Sequence, residues 1–136
     1  MMRVMMTMGF LLATVQSVQA AEPPHWAGIG QQVVESLRHG QQLAAEGKSD
    51  DAKEAMIAAY FDIFEELKME KAERLHLGMK HVTVIEAQFQ AVEDAAGDPK
   101  QAKTIKPLVD KLAKALMADA AKLDAQHIAE DGVSVK

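Results

Sequence analysis

Residues 104–123, TIKPLVDKLAKALMADAAKL, carry the helical pattern from which the fold of this 136-residue chain is predicted. The apolar residues of this stretch recur at spacings of three and four, which places them on one face of an α-helix. They are Ile105, Val109, Leu112, Leu116, Ala120 and Leu123. Pro107 fits best in a first turn, so this helix is predicted to begin near Thr104. Asp119 takes a position that a strict heptad would give to an apolar residue, which predicts a bundle helix rather than a coiled-coil seam.

Three similar patterns precede this stretch. The first runs from about Gly30 to Gly47, the second follows Ser49, and the third lies between a break at residues 75–78 and Gly97. Their main apolar positions are Val33, Leu37 and Ala44; Met56, Ala59, Tyr60, Ile63 and Leu67; and Val82, Ile85, Phe89, Val92 and Ala96. No segment alternates as a β-strand does. The sequence therefore predicts an all-α, up-down-up-down four-helix bundle.

The first twenty residues have the pattern of a cleaved secretory signal peptide. Arg3 supplies positive charge, residues 4–15 are largely apolar, and Val18 and Ala20 are small residues before the cleavage point. The apolar run is shorter than the ~20 residues that span a bilayer. We therefore expect cleavage after Ala20 and a periplasmic protein that does not span the membrane.

The domain organisation follows from these patterns. Residues 1–20 are the predicted signal peptide, and residues 21–28 are a predicted extended lead-in because Pro23 and Pro24 disfavour a helix interior. Residues 29–130 are the predicted bundle domain, and residues 131–136 are a predicted frayed tail.

Composition and motifs exclude several classes of function. A net charge of −5 without a basic stripe argues against a nucleic-acid partner. The absence of cysteine excludes disulfides and thiolate metal sites. No serine-hydrolase, phosphate-loop or dinucleotide motif occurs. The Glu-x-x-His spacing that di-iron proteins use twice occurs once, at Glu73 and His76. The protein is predicted not to be an enzyme.

Carboxylates at the edges of the predicted apolar faces suggest metal binding. Glu65 and Glu70 border the face of the second helix, and Glu86 borders that of the third. A carboxylate in this position is costly unless it is paired, protonated or bound to a cation. The alternative is that these groups reach solvent or pair with lysines, namely Lys68, Lys71 and Lys80. His81 is the histidine best placed to join them, and such oxygen and nitrogen donors suit iron, manganese or zinc better than copper(I).

Part of the chain resembles a known family. Residues 59–65 read Ala-Tyr-Phe-Asp-Ile-Phe-Glu, Met69-Glu70 follows, and Glu86 comes three residues before Phe89 on the next helix. This arrangement, over about residues 40–95, resembles the extracytoplasmic helical domain of bacterial Ftr-type high-affinity iron permeases. Lys68 stands where the family usually has glycine, which predicts a helix that continues through this point. The Arg-Glu-x-x-Glu motifs of the membrane permease part are missing.

The resemblance implies a free-standing periplasmic protein that binds iron, Fe2+ or Fe3+, or a similar cation, without catalysis. It implies Glu65, Glu70 and Glu86 as ligands, with Asp62 and His81 as lesser candidates. Delivery of the metal to an inner-membrane iron permease would be the biological role. The alternative hypothesis is a metal-free helical interaction module that docks a membrane or periplasmic partner through Phe61 and Trp26.

Overall fold

Five α-helices make up most of the chain in the computed structural model, which describes residues 24–136. They are α1 (His25–Ala45), α2 (Ser49–Ala58), α3 (Met69–His76), α4 (Met79–Ala96) and α5 (Ala102–Ala125). A π-helix, Ala59–Glu65, continues α2, and a 3-10 turn, Pro99–Gln101, precedes α5. The predicted all-α class is confirmed, whereas the predicted signal peptide at 1–20 lies outside the described residues. Within residues 24–136, no helix is both long enough and apolar enough to cross a membrane.

Four of the helices pack as a bundle. α1 packs against α2 and α5, and α4 packs against the same two helices, which closes a ring of four neighbours. The connections between α1 and α2, residues 46–48, and between α4 and α5, residues 97–101, are short, whereas the π-helix and α3 lie between α2 and α4. The short helix α3 is an addition to this ring and packs against α4, α5 and the π-helix.

The predicted apolar stripes form the core. Every stripe position of α5 is buried, as is every stripe position of α4. Phe64 and Phe89 stack with ring centroids 5.0 Å apart, and Tyr60 meets Phe89 edge-on at 5.1 Å. The spacing rule therefore identified the buried face of each of these helices correctly.

The predicted lead-in is wrong beyond Pro24, because α1 begins at His25. The backbone N–H groups of Trp26 and Ala27 each donate to the carboxylate of Asp124 at 2.9 Å. This carboxylate satisfies two of the N–H groups that a helix start leaves without partners. Trp26 is fully buried, and its indole N–H donates to the carbonyl of Ile128 at 2.8 Å. The docking role predicted for Trp26 is therefore wrong.

The predicted frayed tail is also wrong. Asp131 accepts hydrogen bonds from the backbone of Val133 and Ser134, and the N–H of Lys136 donates to the carbonyl of His127 at 2.8 Å. Gly132, with φ +76°, lies so close to α3 that an added Cβ would be 3.0 Å from the carbonyl oxygen of Lys68. The chain end folds because these local hydrogen bonds and this close contact fix it.

The helix predicted to continue through Lys68 is interrupted there. Lys68 has a left-handed backbone with φ 70°, so α3 starts as a separate helix at Met69. The break at residues 75–78 is where the sequence predicts it, since α3 ends at His76 and α4 begins at Met79. As a result, Glu70 and Glu73 both lie on the buried side of α3.

The buried stripe of α5 can be tested by truncation. Leu112→Ala and Leu116→Ala should each lower the free energy of unfolding by ~2–5 kcal/mol, because both side chains are fully buried. Leu75→Ala is the matched control, since Leu75 is exposed and should change stability by less than ~0.5 kcal/mol. Urea unfolding followed by circular dichroism measures all three. A loss at Leu75 as large as that at either α5 position would contradict this packing.

Candidate metal centre

Two of the predicted ligands, Glu70 and Glu86, share one basic partner. Arg74 lies one turn along α3 from Glu70 and forms an ion pair with it, while its Nη2 is 3.7 Å from Oε1 of Glu86. Glu70 is only 7% exposed, so the guanidinium supplies the compensation that a buried carboxylate needs. The partner is Arg74 rather than any of the three lysines expected from the sequence.

The other two predicted carboxylates lie on the π-helix. Asp62 and Glu65 are both exposed. The pKa of the Tyr60 phenol is raised by burial, and further by the negative charges of Glu86 and Glu65. The charges of Glu65 and Glu86 thus both act on Tyr60. The two carboxylates do not, however, belong to a group of converging donor atoms among residues 24–136.

Convergence of donor atoms occurs elsewhere. Among residues 24–136, one group of three acidic or histidine side chains brings a ligand atom from each to within 4.8 Å of the others: Glu73, His81 and Asp119. Of the residues predicted as ligands, His81 belongs to this group. Glu65, Glu70, Glu86 and Asp62 lie outside it.

Each member of this group comes from a different helix. Glu73 is on α3, His81 is in the first turn of α4, and Asp119 is on the buried face of α5. Gly78, with φ +104°, allows the sharp turn between α3 and α4 because it has no Cβ. This turn brings Glu73 and His81 together, and the packing of both helices on α5 adds Asp119.

His81 and Asp119 form a hydrogen-bonded pair. The Nε2–H of His81 donates to Oδ2 of Asp119 at 2.7 Å. The Asp119 side chain is 2% exposed, whereas that of His81 is 34% exposed. The imidazole therefore lies between a buried carboxylate and solvent.

Glu73 is the least compensated group in the centre. Its side chain is fully buried, and no N–H or hydroxyl group of residues 24–136 donates to either carboxyl oxygen. Burial raises the pKa of Glu73 to about 9, reinforced by the negative charge of Asp119 and by a hydrogen bond that the protonated group makes to Asp119, although Lys122 opposes the shift. The carboxyl group therefore carries a proton at neutral pH when no cation is bound, since an ionised and unpaired carboxylate would be far more costly.

The donor set suits a divalent cation. Two carboxylates and a neutral imidazole contribute two negative charges when Glu73 is ionised, which balances one divalent ion in a buried site. Nitrogen and carboxylate donors suit zinc, manganese and iron. Ligands that share a tetrahedral ion through bonds of ~2.1 Å are ~3.4 Å apart. Donor atoms that now lie up to 4.8 Å apart would need to approach by roughly 1 Å, and the His81–Asp119 pair, now at 2.7 Å, would need to separate.

The residues of this centre are visible in the sequence through features that indicate other roles. Glu73 belongs to a Glu-x-x-His match with His76, although the histidine near it in the structure is His81. Asp119 is a polar residue within an apolar stripe. His81 is predicted to join Glu65, Glu70 and Glu86, but its hydrogen bond is with Asp119 on α5. A polar residue inside an apolar stripe is the signal that could have found Asp119.

The buried carboxyl group should make the stability of the cation-free protein depend on pH. Because the folded pKa of Glu73 is raised, its contribution to stability is complete below about pH 4.5 and is lost as pH rises through about 9. Relative to Glu73→Gln, the wild type should therefore become steadily less stable between pH 5 and pH 9. The slope should be at most about 1.4 kcal/mol per pH unit.

Urea unfolding in the presence of a chelator measures this difference. Glu66→Gln is the control, because Glu66 is exposed and should leave the pH profile parallel to that of the wild type. Parallel profiles for wild type and Glu73→Gln would show that Glu73 is not held protonated.

Comparisons with protein-family models, with curated proteins and with solved structures give no match to this chain. The resemblance to iron-permease domains therefore stays a prediction from the residues quoted above.

Proposed function

We propose that this protein is a non-catalytic cation-binding protein and that its metal centre is Glu73, His81 and Asp119. The observation that carries the proposal is the fully buried Glu73 carboxyl, which receives no hydrogen bond from an N–H or hydroxyl group of residues 24–136 and lies beside the His81–Asp119 pair. A buried carboxyl group without a donating or cationic partner is rare in folded proteins and requires an explanation. A bound cation would supply that partner and would replace the protons on Glu73 and on Nε2 of His81.

The arrangement favours an ion that can exchange. Three protein ligands leave coordination positions open, whereas structural sites usually close the shell with four. The partly exposed ring of His81 connects the centre to solvent. Both features suit a protein that takes up an ion and passes it on.

Iron is the cation that we propose, either Fe2+ or Fe3+. The donor set is compatible with iron, manganese and zinc, and the resemblance of residues 59–70 and Glu86 to iron-permease domains favours iron among them. The signal-peptide pattern of residues 1–20 supports a periplasmic location, where the partner would be an inner-membrane iron permease. The support for iron, for the periplasmic location and for the permease partner comes from the sequence.

The centre at Glu73 is preferred over the ligand set implied by the family resemblance. In that set Glu70 is already paired with Arg74, which also lies 3.7 Å from Glu86. A cation there would have to compete with a guanidinium. At Glu73 it would instead compensate a carboxyl group that receives no hydrogen bond from an N–H or hydroxyl group of residues 24–136.

Metal titration of single variants distinguishes the two ligand sets. Calorimetry with Mn(II), Zn(II) and, without oxygen, Fe(II) should show one site in the wild type. Glu73→Gln and His81→Ala should each weaken binding by at least roughly tenfold, because each removes a ligand. Glu66→Gln, which changes an exposed carboxylate, should leave the affinity unchanged, and so should Glu86→Gln.

The opposite pattern would overturn this assignment. Loss of affinity in Glu86→Gln with full affinity in Glu73→Gln would move the site to the ligands implied by the family. Absence of binding by the wild type would remove the metal-binding proposal. The metal-free interaction module would then take its place, with Phe61 as its exposed aromatic residue.

A further inference from the structure

A second cavity lies between the π-helix and α4 and shares no residue with the metal centre. Its volume is about 300 Å³, at the lower end of the range for small-molecule sites. Its lining residues are three aromatic side chains, two carboxylates and one amide: Tyr60, Phe61, Phe89, Glu86, Glu93 and Gln90. None of them is basic. The cavity therefore combines apolar ring surface with negative charge.

The rings meet at steep angles. Tyr60 and Phe61 have centroids 4.9 Å apart and planes at 84°, and Tyr60 and Phe89 meet at 5.1 Å and 77°. Walls that differ in orientation can contact several sides of one compact ligand. Phe61 is 53% exposed, which is unusual for so large an apolar side chain. Tyr60 and Phe61 belong to the π-helix, a rare conformation that is frequent at functional sites.

The negative charge of the cavity is only partly compensated. Arg74 lies 3.7 Å from Glu86. Glu93 forms no ion pair within 4.0 Å in residues 24–136. Burial, together with the charge of Asp94, raises the pKa of Glu93, while Lys53 on α2 acts in the opposite direction. An anion would find no basic group in the lining, and a neutral ligand would leave Glu93 without a partner.

We propose that this cavity binds an organic ammonium cation, with ring faces against its alkyl groups and Glu86 and Glu93 balancing its charge. Aromatic side chains attract such cations through the negative potential over the ring face, and they do so most strongly where water is displaced. An alkylated ammonium group presents both apolar surface and positive charge, which matches both parts of the lining. A bare metal ion would make no use of three rings. This inference is independent of the proposed metal centre.

Binding of choline to the full chain tests the proposal. Proton NMR in the presence of a chelator, which keeps the metal centre empty, should show saturation transfer from the protein to the choline methyl groups. The ring resonances of Tyr60, Phe61 and Phe89 should shift as choline is added. The neutral isostere 3,3-dimethylbutan-1-ol should bind at least about threefold more weakly, because it lacks the charge that the rings and carboxylates attract.

Two pairs of variants sharpen the test. Phe61→Leu keeps an apolar side chain at an exposed position but removes the ring, and should weaken choline binding about three- to tenfold. Phe61→Tyr keeps the ring and should bind choline nearly as well as the wild type. Glu93→Gln should weaken choline binding by a similar factor. Asp94→Asn removes the same charge from the neighbouring residue, which does not line the cavity, and should leave choline binding nearly unchanged.

Four results would overturn the proposal. They are no saturation transfer to choline at millimolar concentration, equal binding of choline and the neutral alcohol, no effect of Phe61→Leu, and equal losses in Glu93→Gln and Asp94→Asn. The last would mean that choline senses only the overall negative charge of the protein. Failure of metal binding would leave this proposal unaffected, since the two sites share no residues.

Discussion

The cost of burying the carboxyl group of Glu73 is the main physical constraint on this protein. This group lies in the interior beside a second carboxylate, Asp119, and no N–H or hydroxyl group of residues 24–136 donates to it. Two states can relieve this cost: a proton on Glu73, or a cation shared with His81 and Asp119. The first explains how the protein folds without metal. The second would make the buried carboxylate a metal ligand.

Other features of the fold serve to place this group. α3 exists as a separate helix because Lys68 adopts a left-handed conformation, and Gly132 from the chain end packs against Lys68 and Ala72. The chain end is held in turn by Trp26, whose indole N–H donates to Ile128. Segments that look peripheral in the sequence therefore fix the start of the helix that carries Glu73.

α5 connects these parts. Asp119 belongs to the metal centre, and five residues later Asp124 caps the start of α1. α5 thus supplies one carboxylate, Asp119, to the metal centre and a second, Asp124, to the start of α1. The acidic side chains of α3 have distinct roles, since Glu70 is neutralised by Arg74 while Glu73 has no basic partner within 4.0 Å among residues 24–136.

The parts of the structure that were predicted correctly depend on local periodicity. The stripes of α4 and α5, such as Val82 to Ala96, can be read from spacing alone because burial repeats with each helical turn. The start of α1 could not be read in this way, since its cap, Asp124, is almost a hundred residues distant. The pairing of Glu70 with Arg74 is an i, i+4 pair that spacing alone could have predicted. The meeting of Glu73 with Asp119 depends instead on how α3 packs after the left-handed Lys68, and a lysine gives no signal for that conformation.

Locating a bound ion directly is the most decisive measurement. Crystals of the protein grown with Mn(II) or Zn(II), with diffraction recorded at the metal absorption edge, would show the ion as a peak of anomalous density. We expect a peak about 2.0–2.2 Å from a carboxyl oxygen of Glu73, Nε2 of His81 and a carboxyl oxygen of Asp119. A peak among Glu65, Glu70 and Glu86 with none at Glu73, or no peak in crystals that contain the metal, would contradict it.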